Sequence, residues 1–224
     1  LYIHINIHSS QDAFLDKIYK KAMKELNDFY GINWIHHIPT LAVVEDRKTI
    51  DLVRGKKTED WMIGWINTNT RIVYILDRDN MEKESCHKYT PESYYRLIKH
   101  ELSHCFSSII SDRSTRPDWL WEGLAGYTSE QNLEKNIPKK FKTFLGFYDK
   151  SGIGVYAESG FAIQILVERF GKKKLFKLIR KLKGIKSRSD FDSLFKTIYG
   201  FKPSYAEFNK LLKRLVTNNK KSWI

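Results

Sequence analysis

His100-Glu101-Leu102-Ser103-His104 lies within Pro91-Glu-Ser-Tyr-Tyr-Arg-Leu-Ile-Lys-His-Glu-Leu-Ser-His-Cys-Phe-Ser-Ser-Ile-Ile110, a run that reads as one helix. Residues four apart share a helix face, so His100 and His104 present two imidazoles to one point, about one turn apart. That is the spacing of two nitrogen ligands to a zinc ion. Glu101 stands one step round the helix, close enough to act on a metal-bound water without binding the metal tightly itself. The chemistry needs each of these residue types. Neutral imidazoles hold the metal and leave a position open, and a carboxylate takes a proton from the water and passes it on. The pentapeptide fixes only three positions, and the plain alternative is two histidines and a glutamate on a half-exposed helix. A third ligand, a substrate cleft and an electrophilic helper elsewhere in the chain decide between the two.

Working outward, the chain divides at this helix. Upstream, Tyr2-Ile-His-Ile-Asn-Ile-His8 alternates like a half-buried strand, and Ser9-Ser-Gln-Asp12 opens a helical pattern (Phe14, Leu15, Ile18, Ala22, Met23, Leu26, Tyr30) that Gly31 stops. A short strand over Thr40–Glu45 follows, then a polar stretch over 46–60 that reads as a short helix or loop. Strands over Trp61–Ile66 and Arg71–Leu76 flank the turn Asn67-Thr-Asn-Thr70, giving a hairpin. Downstream, Asp112–Asp118 is a turn-rich connection in which Asp118 is a candidate helix cap. Beyond Pro138 nothing resembles a strand, and helical patterns cover about 138–148, 153–170, 172–183, 188–198 and 204–217. The expectation is an α+β chain: residues 1–110 form an α/β subdomain with a mixed sheet and a long helix, ending in the histidine helix, and residues 111–224 form an all-helical subdomain.

Composition sets outer bounds. The 224 residues, 42% hydrophobic and 14% aromatic, suffice for one domain or two closely packed subdomains sharing a cleft, and exclude a disordered chain. No run of about 18 apolar residues exists to span a membrane. The chain begins at Leu1 rather than Met, which raises the expectation that a signal peptide, anchor or pro-segment was removed and favours an extracytoplasmic location. Two cysteines, Cys86 and Cys105, make no disulfide framework. Cys105 reads as a small buried apolar residue, and Cys86 with His87 as loop.

Trp119-Leu-Trp-Glu-Gly-Leu-Ala-Gly-Tyr127 places Glu122 18 positions after His104. A helix starting near Asp118 carries Glu122 in its first turns, able to face the metal helix. Gly123 and Gly126 weaken that helix by roughly 1 kcal/mol each against Ala, which makes sense where two helices must approach closely. The plain alternative is a surface glutamate.

With these two motifs the chain resembles the gluzincin metallopeptidases, in particular the small peptidase MA-like domains, over roughly residues 35–217. Tyr156-Ala-Glu-Ser-Gly-Phe-Ala-Ile-Gln-Ile-Leu-Val-Glu-Arg-Phe-Gly171 and the closing Phe195–Phe208 stretch share the likeness. The resemblance implies a zincin-like fold and one zinc per chain held by His100, His104 and Glu122, with a water as fourth ligand and Glu101 as general base. It further implies an edge strand that pairs with an extended peptide substrate. Residues 61–66 are preferred over 71–76 for this role, with Gly64, Trp65 and Ile66 as substrate-binding residues and Gly64 allowing close backbone approach. Tyr156, after the glycine-rich turn Gly152-Ile-Gly154, is the candidate oxyanion helper, ahead of Tyr127 and Tyr148. Asp118 and Glu130 are candidates to orient the histidines. The expected activity is that of a monomeric endopeptidase acting on peptide or protein.

Charge supplies a rival. The net charge is +13, yet residues 1–170 balance 23 Lys and Arg against 23 Asp and Glu, while residues 171–224 carry 16 against 3. The bland reading is a solvated helix face. The functional alternative is a catalytically weak zincin-like protein that binds nucleic acid or an anionic surface through residues 172–221, with Trp223 as a minor anchor. No nucleic-acid-binding motif accompanies the charge.

Overall fold

The structure, a computed structural model, describes residues 12–114 and 116–219. The expected strand over Tyr2–His8 and the anchor Trp223 lie outside the described residues. The chain is mixed α and β, about 60% helical, with three strands and nine α-helices among the described residues.

Asp12 opens α1 (Ala13–Tyr30) by accepting the backbone N–H groups of Phe14 and Leu15 on Oδ1, at 2.9 and 3.0 Å. Gly31, at φ 65°, closes it in the left-handed conformation that glycine adopts without strain. β1 (Thr40–Val44) leads into α2 (Arg47–Arg54), then β2 (Gly64–Asn67) and β3 (Ile72–Leu76). β3 is central: β1 runs parallel to it, Thr40 opposite Ile72, and β2 antiparallel, Gly64 opposite Ile75. Among the described residues no strand covers the outer edge of β2.

Side-chain alternation gives the sheet two apolar faces. Val73 and Ile75 join the main core with α1 and the histidine helix α4 (Pro91–Ile110). Trp65 and Leu76 pack on the other face with Val44 and Ile50 of α2.

The second strand starts three residues later than its sequence suggests. Arg47 explains the shift: its guanidinium donates to the carbonyls of Glu59 (2.9 Å), Asp60 (3.1 Å) and Met62 (2.6 Å), winding 59–62 into a turn instead of a strand. Pairing resumes at Ile63, whose carbonyl accepts the Leu76 N–H at 2.8 Å.

α3 (Met81–Glu84) and α4 precede the connection, and the C-terminal half comprises α5 (Asp118–Thr128), α6 (Ser159–Phe170), α7 (Lys172–Arg180), α8 (Arg188–Tyr199) and α9 (Tyr205–Asn219). The helix expected over 138–148 is absent except for a 3-10 turn at Phe144–Gly146. Its free N–H groups are taken elsewhere. The buried carboxylate of Glu158 accepts from Lys142, Thr143 and Phe144 at 2.9–3.1 Å, and Asn209 brackets Phe141 through both its N–H and its carbonyl. Residues 153–170 likewise divide into a 3-10 turn, Ile153–Ala157, and α6. Asp118 does not cap α5; Pro117 precedes the helix and Asp118 is its first residue. The core runs without a break from Ile18 to Leu212. Among the described residues no helix is long and apolar enough to cross a membrane.

Candidate metal centre

α4 is set by its start. Thr90 and Ser93 form a reciprocal capping box around Pro91, which fixes the helix phase and hence the face that carries His100 and His104. Three attachments hold that face in place. Lys99, nearly fully buried, donates to Glu25 Oε2 of α1, and the Tyr95 hydroxyl donates to the same oxygen at 2.7 Å. The Ser103 hydroxyl, inside the pentapeptide and fully buried, lies 2.7 Å from the Tyr30 hydroxyl and accepts from Thr128 Oγ1 at 2.8 Å. A single serine thus ties α1, α4 and α5 together.

α5 is held by backbone at its start. Its first N–H groups, those of Asp118 and Trp119, donate to the carbonyls of Tyr148 (3.2 Å) and Phe147 (2.9 Å). Its glycines do not do what the sequence suggests. They face α6, not the metal helix. A Cβ on Gly123 would stand 2.6 Å from the Ser159 carbonyl oxygen and 2.9 Å from Ile163 Cγ1. The glycine therefore sets how α5 rests on α6, and through that where Glu122 points.

These supports bring three donor atoms together. Nε2 of His100 and Nε2 of His104 lie 3.2 Å apart. Oε2 of Glu122 is 3.3 Å from the first and 3.6 Å from the second. Oε2 is buried without a hydrogen-bond partner, as is Nδ1 of His100. Ligand atoms at the corners of a tetrahedron about 2.0–2.1 Å from a zinc ion stand about 3.3 Å from one another. The three separations match that edge, and the donor set of two imidazoles and one carboxylate suits a borderline metal such as zinc. Among the described residues this is the one group of three such side chains able to hold an ion.

The two histidines and Glu122 shift one another's titration. Burial works to raise the Glu122 carboxyl, but His104 and His100 outweigh it and hold the group well below the ordinary carboxylate range. Burial disfavours charge on His104, and the Glu122 carboxylate reverses that, lifting the imidazole to about 9. Burial raises the Glu101 carboxyl against the pull of both histidines. Asp118 is pushed up to about 6 by burial and by Glu122.

The centre opens into a cleft of about 330 Å³. Gly64, Trp65 and Ile66 of β2, one of the two edge strands among the described residues, line it. Trp65 turns its ring away to stack on Tyr74 at 4.7 Å. A Cβ at Gly64 would meet Glu101 Oε1 at 2.9 Å. Tyr156 also lines the cleft, its ring 6.2 Å from that of His100 and 6.2 Å from that of Trp61. Burial, with Glu122 and Glu101 nearby, keeps its phenol protonated far above neutrality. Tyr127 and Tyr148 lie away from the cleft, packed against Phe29 and Phe191.

Of the two candidate orienting acids, Asp118 lines the cleft, with Oδ1 accepting from Ser151 at 3.0 Å. Glu130 does not; it lies 3.6 Å from Lys99. One support escapes the sequence altogether. Lys135 donates to the Tyr156 carbonyl at 2.9 Å and lies 5.9 Å from its ring centroid. Nothing in a stretch of Glu, Lys and Asn signals that contact. Cys86 is exposed and Cys105 buried, both as thiols. Nε2 of His87 lies 2.9 Å from the Trp61 carbonyl oxygen. Compared with family models, curated proteins and solved structures, the chain matches none.

Proposed function

We propose that the protein is a zinc-dependent metallopeptidase of the gluzincin type, a monomeric endopeptidase with a zincin-like fold akin to the small peptidase MA-like domains. The observation that carries this reading is the convergence of His100 Nε2, His104 Nε2 and Glu122 Oε2, 3.2–3.6 Å apart, beside buried Glu101 and an open sheet edge.

His100, His104 and Glu122 would hold the zinc. Bound there, zinc supplies a Lewis acid that polarises the scissile carbonyl and makes a water acidic near neutral pH. Glu101 takes a proton on its carboxylate and gives it to the departing amine; burial, by raising its pKa, makes it the better acceptor. The outer edge of β2 binds an extended peptide through backbone hydrogen bonds. Tyr156, kept as a neutral phenol, donates to the oxygen on which charge develops.

The test is a pair of measurements. Zinc-loaded protein should carry about one ion per chain, as the single three-ligand group implies. Glu101→Gln should keep that ion and cleave an unstructured peptide mixture at least about a hundredfold more slowly. Cleavage by Glu101→Gln at the wild-type rate would sink the reading.

A second reading is favoured by one feature. Residues 172–188 hold nine Lys and Arg and no Asp or Glu. On this reading the scaffold binds nucleic acid or an anionic surface and turns over little. Salt-sensitive binding to DNA or anionic vesicles, with no activity dependent on Glu101, would select it.

A further inference from the structure

We infer that the cleft carries an anion subsite, formed by Arg113 and Arg71, that takes a carboxylate of the peptide substrate. This rests on the peptidase reading and specifies the substrate class for the same cleft.

The cleft does not end at His104. Thr68, Ser108 and Arg113 line it and also line a smaller adjoining cavity of about 110 Å³, which Trp34 and Arg71 help to close. Both arginines are exposed and sit in the left-handed backbone region. Arg113 sits at φ 63° in the turn that ends α4, its N–H donating to the Ser108 carbonyl at 2.8 Å. Arg71 sits at φ 58° just before β3; it donates to the His37 carbonyl at 3.3 Å and lies 5.9 Å from the Trp34 ring centroid. Among the described residues neither has a carboxylate within ion-pair distance. The one acid lining the cavity, Asp112, is already engaged by Lys183 from across the chain.

The cleft is therefore polarised. Its carboxylates, Glu101, Asp118 and Glu122, gather around the metal centre. Arg113, like Thr68, lines both cavities, and Arg71 lines the smaller one with them. A guanidinium presents its donors as a planar fork that matches a carboxylate. A cavity of this size takes a carboxylate on one or two methylenes. A peptide lying along β2 passes Thr68 as it leaves the centre.

Two parts of a peptide carry that chemistry: an Asp or Glu side chain, and a free C-terminus. β2 runs from Gly64, beside Glu101, toward Thr68. A peptide antiparallel to it places residues N-terminal to the scissile bond at Arg113. A parallel one places residues C-terminal to the bond there, with the chain end in reach.

The experiment measures binding of fluorescent Ala/Ser peptides to zinc-loaded Glu101→Gln protein by anisotropy. A single Glu is walked through the sequence, each position has a Gln counterpart, and each peptide is made with a free and an amidated C-terminus. One Glu register, or the free terminus, should bind about tenfold or more tighter than its neutral counterpart. Arg113→Gln, an exposed change, should erase the difference, and Arg113→Lys should keep part of it. Circular dichroism checks that Arg71→Gln, which should act alike, is folded. Equal binding of Glu and Gln peptides at every register and both termini, no binding at all, or a preference that survives Arg113→Gln would overturn the subsite. The peptidase reading fails separately: wild-type protein that binds the Glu peptide selectively but never cuts it loses the activity and keeps the subsite.

Discussion

Gly64 and Glu101 touch more closely than any side chain at position 64 would allow. A Cβ added to Gly64 would stand 2.9 Å from Oε1 and 3.0 Å from Cγ of Glu101, with Leu97 Cδ1 at 3.0 Å behind. Gly64→Ala should therefore displace the Glu101 carboxylate while leaving the three metal-ligand candidates in place. Zinc content should stay at the wild-type level, and kcat/KM on a peptide mixture should fall by about tenfold or more; stability should drop by about 1–3 kcal/mol. An unchanged kcat/KM would mean that the carboxylate retreats without consequence.

The two glycines of α5 should respond with opposite signs. Alanine is worth about 1 kcal/mol over glycine in a helix interior. At 123 that gain is outweighed by contact with the Ser159 carbonyl at 2.6 Å, which is backbone and yields little. Gly123→Ala should lower stability by about 1–3 kcal/mol and weaken metal binding by moving its neighbour Glu122. At 126 the nearest atom to a new Cβ is Gly160 Cα at 3.9 Å, so Gly126→Ala should be neutral or stabilising. Urea midpoints of the two variants decide the point.

Ser103→Ala removes the hydroxyl shared by Tyr30 and Thr128 in a dry environment. The expected loss is about 1–3 kcal/mol. Adding Thr128→Val should cost less than the sum of the two single changes, because the first variant has already broken their common bond. A double-mutant cycle by chemical denaturation measures this.

The clasp between α1 and α4 should show in the pH dependence of stability. Burial raises the Glu25 carboxyl, but Lys99 and Tyr95 outweigh it and hold its pKa below the ordinary value in the folded chain. A group depressed on folding adds stability above its unfolded pKa and loses it as pH falls through the folded one. Glu25→Gln should thus be less stable than wild type at pH 7, and the gap should narrow as pH drops below about 4. A gap of constant size from pH 7 to 3 would exclude an ionic origin.

Metal removal should be costly to stability. Zinc that binds only the folded chain stabilises it by about 4 kcal/mol at a free concentration 1,000 times Kd. In a chain of this size that corresponds to a rise in Tm of roughly 8–16 °C, at about 2–4 °C per kcal/mol. Calorimetry with chelator and with zinc should show the shift in wild type, and Glu122→Ala should abolish it.

What the sequence discloses depends on distance along the chain. The pairing of His100 with His104 is local, since one helical turn fixes it. Glu122 is legible because a second motif marks it, and the hairpin of β2 and β3 follows from its turn. The errors arise where a distant side chain takes control of the backbone. Arg47 turns the carbonyls of 59–62 away from strand pairing, and Glu158 captures the N–H groups that a helix over 138–148 would need. Composition tells that Gly123 permits a close approach, but not that α6 is the neighbour approached. Lys135 reaches Tyr156 across 21 residues with no pattern to announce it.

The seat of Gly123 on Ser159 and Ile163 also orders events in time. A chain emerging from the ribosome presents His100, Glu101 and His104 first. The helix bearing Glu122 lacks its seat on Ser159 and Ile163 until residue 163 has followed. On the peptidase reading, hydrolytic capacity then arrives late in synthesis, and an incomplete chain cannot cut the nascent proteins around it. The seam between α5 and α6 works as a completion check built into the packing.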